Sequence, residues 1–196
     1  MTKDHVKEKV GLIKTIDKID KDCSKMIQNM DFKRFEYFVL VWGCLFTDHH
    51  TIWIPSLLSL AIAKYYSVNS IFILFYCLQI PVTALICYLI KNTCRRIRPS
   101  INQGQKRRPE LRTKQGHSFS FPSGDALQAG IFSTFFYMLY GNSLYLFVYP
   151  FVAFARVYYK WHWIGDTIFG GAIGITFGYY YFLYMINTII SKEEIQ

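Results

Sequence analysis

The sequence predicts an all-α protein, a polytopic transmembrane bundle of about five to six helices behind an amphipathic N-terminal helix. Three observations carry that prediction. The first is composition: 52% of the 196 residues are hydrophobic and 18% aromatic, which is rich for a soluble chain of this size. The second is patterning. The apolar residues gather into long uncharged runs at Ile71 to Ile90, Ala126 to Ala155 and Thr167 to Ile190. A bilayer crossing takes ~20 mainly apolar residues in helix, because the segment must satisfy its own backbone. A soluble domain this small could not bury so many uncharged residues. The third is charge. The formal net charge is +9, but nearly all the basic residues lie in the first 34 positions or from Lys91 to Lys114, at the edges of apolar runs. That placement suits lipid headgroups or a phosphorylated substrate, and argues against nucleic acid as the partner.

Residues 5 to 30 read as one amphipathic helix, with Val6, Val10, Ile13, Ile16, Ile19, Cys23, Met26 and Met30 at helical spacing. Such a helix lies in the membrane interface or packs on the protein. Glu36 to Phe46 is a short apolar segment, interrupted at Asp48-His49-His50 and resumed from Thr51 to Tyr66. A turn at Ser67 to Ser70 leads into the span that ends at Ile90. A long hydrophilic segment follows, Lys91 to Gly124, of a length usually reserved for function. Further helices are predicted at Asp125–Tyr140, Ser143–Tyr158 and Gly165–Ile190, with a break at Gly141-Asn142. Two passes separate the Lys91–Gly124 loop from the Lys160–Gly165 loop, so both polar clusters face one side of the membrane. Gly170, Gly174 and Gly178 have small-xxx-small spacing, which favours tight packing inside the bundle over a dimer seam. The expected division is an amphipathic helix at 1–34, a membrane-embedded domain at 35–190 and a polar tail at 191–196. The five cysteines show no CxxC and no metal spacing, so neither disulfide, metal site nor cofactor is expected. No secretory signal is expected from so polar an amino terminus.

Three clusters carry chemistry. Lys91 and Arg98-Pro99 put two cations seven residues apart, on one face of a helix that Pro99 would stop. They are phosphate ligands or cations snorkelling at a helix end. Phe121-Pro122-Ser123-Gly124-Asp125 stands directly before an apolar helix. It is an anion cradle of hydroxyl and helix-start N–H groups or an ordinary N-cap. Arg156, His162 and Asp166 form the third. His162 and Asp166 are one helical turn apart, so the carboxylate can hold one imidazole nitrogen and leave the other to attack. The plainer alternative is a structural His–Asp pair.

Together these clusters resemble the type 2 phosphatidic acid phosphatase superfamily, which includes the vanadium haloperoxidases. Lys91, Arg98 and Pro99 match its first motif, Pro122, Ser123 and Gly124 its second, and Arg156, His162 and Asp166 its third. Ala155 stands where a Ser usually precedes the Arg. The resemblance covers roughly Thr51 to Ile190 and is similar in layout to the polyisoprenoid diphosphate phosphatase branch. It implies a metal-independent membrane lipid phosphatase, acting on lipid phosphates or diphosphates. Lys91, Arg98, Arg156, Ser123 and the Gly124 N–H would bind phosphoryl oxygens. His162 would attack phosphorus, and Asp166 would orient it. The expected location is that of a multi-pass protein of the endoplasmic reticulum or another endomembrane.

One departure stands out. The family's second motif ends in a His that protonates the leaving group, and Asp125 occupies that position. An aspartate is ordinarily ionised at neutral pH and a poor proton donor. Asp125 works as the acid, another group such as His117 does, or the substrate needs little acid help, as a diphosphate would. The alternative is a catalytically impaired relative that only binds phospholipid.

Overall fold

A computed structural model of the chain describes residues 3–46, 57, 61, 64–65, 70–99 and 119–193. The interruption at Asp48-His49-His50, most of the Thr51–Tyr66 segment, the expected turn that follows it, and the segment carrying Lys106, Arg107, Arg108, Arg112, Lys114 and His117 lie outside those residues. Among the described residues there are six α-helices and no strand. They are α1 (Lys3–Gln28), α2 (Glu36–Cys44), α3 (Ser70–Cys94), α4 (Gly124–Tyr140), α5 (Val148–Tyr158) and α6 (Ile164–Glu193), with a 3-10 turn at Ser143–Phe147.

The helix ends follow from local chemistry. Ser123 is the N-cap of α4, and its Oγ accepts from the Ala126 N–H at 3.3 Å. Such a cap satisfies a helix-start donor that would otherwise be stranded. At the other end Gly141 takes φ +69 and donates its N–H to the Tyr137 carbonyl, a left-handed stop that suits glycine. Asn142 then caps the 3-10 turn through the Leu144 N–H. The predicted break at Gly141-Asn142 is therefore a C-cap followed at once by an N-cap.

Among the described residues, two helices are long and apolar enough to cross a bilayer. Ile71–Cys94 has a mean hydropathy of 2.1 and Ile164–Ile189 one of 1.2. On α3, Leu74, Leu78, Val82, Leu85 and Leu89 form one stripe, each at least half exposed. A continuous outward stripe of this kind is what lipid contact requires. The inward faces pack Ile73 and Tyr76 of α3 against Phe132, Phe135 and Phe136 of α4, with Phe182 and Met185 of α6. A second cluster joins Leu40 and Cys44 of α2 to Ala155 and Tyr158 of α5 and to Trp161.

The tightest seam is α4 on α6. A Cβ on Gly170 or Gly174 would fall on the backbone carbonyls of Ser123 and Leu127, and one on Gly178 would stand 3.2 Å from the Ile131 Cα. The three glycines thus let two backbones touch, and their spacing serves intramolecular packing. Between α3 and α4 lies a buried polar knot. Gln128 Nε2 donates to Thr83 Oγ1 at 2.7 Å, and Gln79 Nε2 donates to Gln128 Oε1 at 3.3 Å. Hydrogen bonds between apolar helices contribute roughly 0.6 kcal/mol each and fix their register.

One expectation is corrected. Lys91 and Arg98 do not share a helical face, because α3 ends at Cys94, before Arg98 and five residues ahead of Pro99. Arg95 takes φ +48, in the left-handed region, and residues 95–99 have no regular secondary structure. Proline also disfavours helix in the residue before it, which is Arg98. This stretch gains a partner: the Arg96 carbonyl accepts from the Ser120 N–H at 2.7 Å.

Candidate active site

Four chain segments deliver polar groups to one end of the bundle. α3 and α5 arrive by their C-terminal ends, bearing Lys91 and Arg156, and α4 and α6 begin there. The glycine seam holds the two helix starts together, and Ser123 N–H donates to the Asp166 carbonyl at 2.9 Å. Two helix N-termini side by side present partial positive charge, which favours an anion.

The predicted residues are linked through shared partners. Lys91 Nζ donates to the Pro122 carbonyl at 2.7 Å and the Phe119 carbonyl at 3.0 Å, with the Ser120 carbonyl at 3.4 Å. That same Ser120 carbonyl lies 2.8 Å from His162 Nδ1. Arg98 Nη1 donates to the Trp161 carbonyl at 2.8 Å, one residue before His162. Arg156 lies over the Trp161 ring at 4.1 Å, donates to the Gly43 carbonyl at 3.1 Å, and meets Asp125 Oδ2 at 2.6 Å. Lys91, Arg98, Ser123, Gly124, Asp125, Arg156, His162 and Asp166 therefore occupy one end of the fold.

The histidine has a defined tautomer. A carbonyl only accepts, so the Ser120 contact assigns the proton to Nδ1 and leaves the Nε2 lone pair open. Burial, with repulsion from Arg156, Arg98 and Lys91, lowers the His162 pKa to about 3, against the opposing pull of Asp166. The imidazole is neutral across the physiological range.

Asp166 stands in the first turn of α6, and its Oδ2 accepts from the Trp163 N–H at 2.9 Å. This is one half of a capping box. The same oxygen is 3.7 Å from His162 Nδ1, an electrostatic contact and longer than a hydrogen bond. His162 itself precedes α6, so the pair meets across a helix start and not along a helix.

The sequence model of the PAP2 superfamily matches residues 72–190. The chain belongs to the PAP2 superfamily. Its fold is similar to the crystal structure of a transmembrane PAP2-type phosphatidylglycerolphosphate phosphatase from Bacillus subtilis, with a TM-score of 0.64 at 18% identity. That alignment covers 93% of this chain and 88% of the other. None of the curated proteins matches the sequence. At this identity the likeness concerns the fold alone.

Several residues of this PAP2 site escape sequence reasoning. Ser120, wholly buried, turns its carbonyl on both Lys91 and His162, and a backbone acceptor has no residue signature. Gly43 and Trp161 serve Arg156 from α2 and from the turn before His162. Arg96 reads only as one more loop cation, yet its Nη1 lies 2.7 Å from Asp166 Oδ1. Asp17, Asp20 and Ser24 read as the polar face of α1, and they too reach this end of the fold.

Proposed function

We propose that the protein is a multi-pass membrane lipid phosphohydrolase in which His162 Nε2 attacks phosphorus. The observation that carries this reading is the buried neutral imidazole, its Nδ1–H on the Ser120 carbonyl, among Lys91, Arg98 and Arg156. Phosphoryl transfer demands positioning and charge stabilisation more than elaborate covalent chemistry. Three cations and two helix starts supply both. In the first step the Nε2–P bond forms as the P–O bond to the leaving group breaks. Water then attacks phosphorus, the N–P bond breaks, and inorganic phosphate departs. Asp166 holds the imidazole's orientation through its charge and through the α6 cap. The Ser123 hydroxyl already accepts from Ala126, so its own hydrogen is what it has to offer a phosphoryl oxygen.

Asp125 favours a substrate class. Its Oδ2 accepts from Arg156 at 2.6 Å, so that oxygen is committed to the guanidinium and not to a leaving group. A leaving group that departs as a phosphate ester needs less protonation than a lipid alkoxide. Isoprenoid or other lipid diphosphates are therefore the favoured substrates, and phosphatidic acid a poorer one. An open apolar groove beside the site, lined by Ile13, Ile16, Ile19, Phe121, Ile168 and Phe169, suits a hydrocarbon chain.

The test is phosphate release by purified protein from a prenyl diphosphate and a phosphatidic acid, with a metal chelator present throughout. His162→Ala is expected to abolish release. Wild-type turnover in that variant would remove the mechanism, and faster hydrolysis of the monoester would overturn the diphosphate assignment. The Asp125–Arg156 pair also favours a second reading, a phospholipid-binding relative impaired in catalysis. It predicts lipid binding without phosphate release from any substrate.

A further inference from the structure

We propose that Arg96 and Asp20 are positioning residues that make the N-terminal helix α1 a working part of the catalytic site. This rests on the phosphohydrolase reading above.

Asp166 is completely buried and is held on both oxygens. Oδ2 accepts from Trp163 N–H and faces His162 Nδ1. Oδ1 accepts from Arg96 Nη1 at 2.7 Å. The carboxylate therefore cannot rotate without breaking a charge-assisted bond on one side or a helix cap on the other. Arg96 is in turn fixed from α1. Its Nη2 donates to Asp17 Oδ1 at 2.7 Å and to Asp20 Oδ2 at 2.6 Å. Only a planar fork can engage Asp166 with one nitrogen and α1 with the other.

α1 also completes the helix that carries Asp166. Asp20 Oδ1 accepts from the Gly165 N–H at 2.8 Å, and Ser24 Oγ accepts from the Ile164 N–H at 2.9 Å. These are the first two amides of α6, which no intrahelical acceptor can satisfy. A Cβ on residue 165 would stand 2.9 Å from Asp20 Oδ2, so glycine leaves room for this approach. One aspartate thus caps the helix bearing Asp166 and tethers the arginine that fixes its side chain.

The charges separate Arg96 from the phosphate ligands. Three carboxylates surround its guanidinium, and burial, which opposes its charge, is outweighed by Asp166, Asp20 and Asp17, so its pKa is raised. An arginine so neutralised acts on Asp166, not on an incoming anion.

The test compares kcat and KM for phosphate release from a prenyl diphosphate, in full-length purified protein. Arg96→Gln is expected to lower kcat about 10- to 100-fold, by analogy with the loss when the outer partner that orients a metal ligand is removed, with KM nearly unchanged. Arg96→Lys keeps the charge but loses the fork, and recovers part of the activity. Asp20→Asn keeps an acceptor for Gly165 N–H while placing an NH2 group towards Arg96. It is expected to lower kcat in the same sense, less than Arg96→Gln, and it decides the matter if Arg96→Gln fails to fold. His162→Ala runs alongside. Wild-type turnover in His162→Ala overturns the phosphohydrolase reading itself. An inactive His162→Ala beside wild-type kcat in the Arg96 and Asp20 variants overturns only the positioning role. A raised KM with unchanged kcat would make Arg96 a substrate ligand, and that also overturns it.

Discussion

Arg156→Met offers a test in which stability and activity separate. The Arg156 side chain is 1% exposed and its partner Asp125 14%. Methionine keeps much of the volume but strands three groups: Asp125 Oδ2 loses its 2.6 Å partner, the Gly43 carbonyl its 3.1 Å donor, and the Trp161 ring its cation. Removing one member of a buried pair costs about 3–5 kcal/mol, because the other charge is left uncompensated. Asp125 is near enough to water to recover part of that, so we expect about 2–3 kcal/mol. At this chain length that is a drop of about 5–10 °C in Tm. Asp125→Leu in the same chain removes the stranded charge, and the double variant should regain most of the lost stability. It should not regain activity. Loss of a preorganised donor at the reacting group costs about 100- to 1000-fold in rate, and no leucine restores it. The assay pairs thermal unfolding in detergent with phosphate release. An Arg156→Met protein as stable as wild type would refute the energetic reasoning. A double variant with wild-type turnover would refute Arg156 as a phosphate ligand.

Other outcomes follow from the same geometry. Gly174→Ala drives a methyl group onto the Leu127 carbonyl and should cost about 1–3 kcal/mol, read as a lower Tm. Gln128→Leu takes the acceptor from Gln79 Nε2 and one donor from Thr83 Oγ1, which keeps its bonds to Gln79, and should cost about 1–3 kcal/mol, read the same way. For His162 the folded pKa is about 3 against an ordinary 6.5, so below pH 6.5 the folded state binds fewer protons than the unfolded. Its share of stability is complete above that pH and is lost as pH falls towards 3, by at most about 1.4 kcal/mol per pH unit; His162→Gln should flatten the curve. For the same reason kcat/KM should show no imidazole limb between pH 5 and 7. Asp125→His supplies a proton donor and should raise turnover of lipid monoesters relative to wild type; an unchanged rate would show that leaving-group protonation is not limiting.

The helices were legible because their causes are local. Uncharged runs, the Gly141-Asn142 break and the glycine spacing each encode themselves within a few residues. The conjunction of Lys91, Arg98, Ser123, Arg156 and His162 was legible as motif order, and the fold brings them to one end of the bundle. What escaped was decided elsewhere. Arg95 enters the left-handed region with no residue signal, which shortens α3 and detaches Arg98 from the face of Lys91. The Ser120 carbonyl acts through backbone, to which sequence patterns are blind. Arg96 and Asp20 stand 76 residues apart, and on its own each looks like a solvated charge. Asp125 was legible as a departure from the family pattern, but its pairing with Arg156 needed the fold.

The reach of α1 has a consequence for assembly. Asp20 and Gly165 are separated by 145 positions, so α1 must wait for α6, made after it, before the first turn of α6 is closed. Contacts this distant in the chain form slowly, because a long loop must be drawn in before they reward it. Competence would then emerge only once α6 is made, and a nascent chain ending before α6 would carry His162 without the Asp166 that orients it.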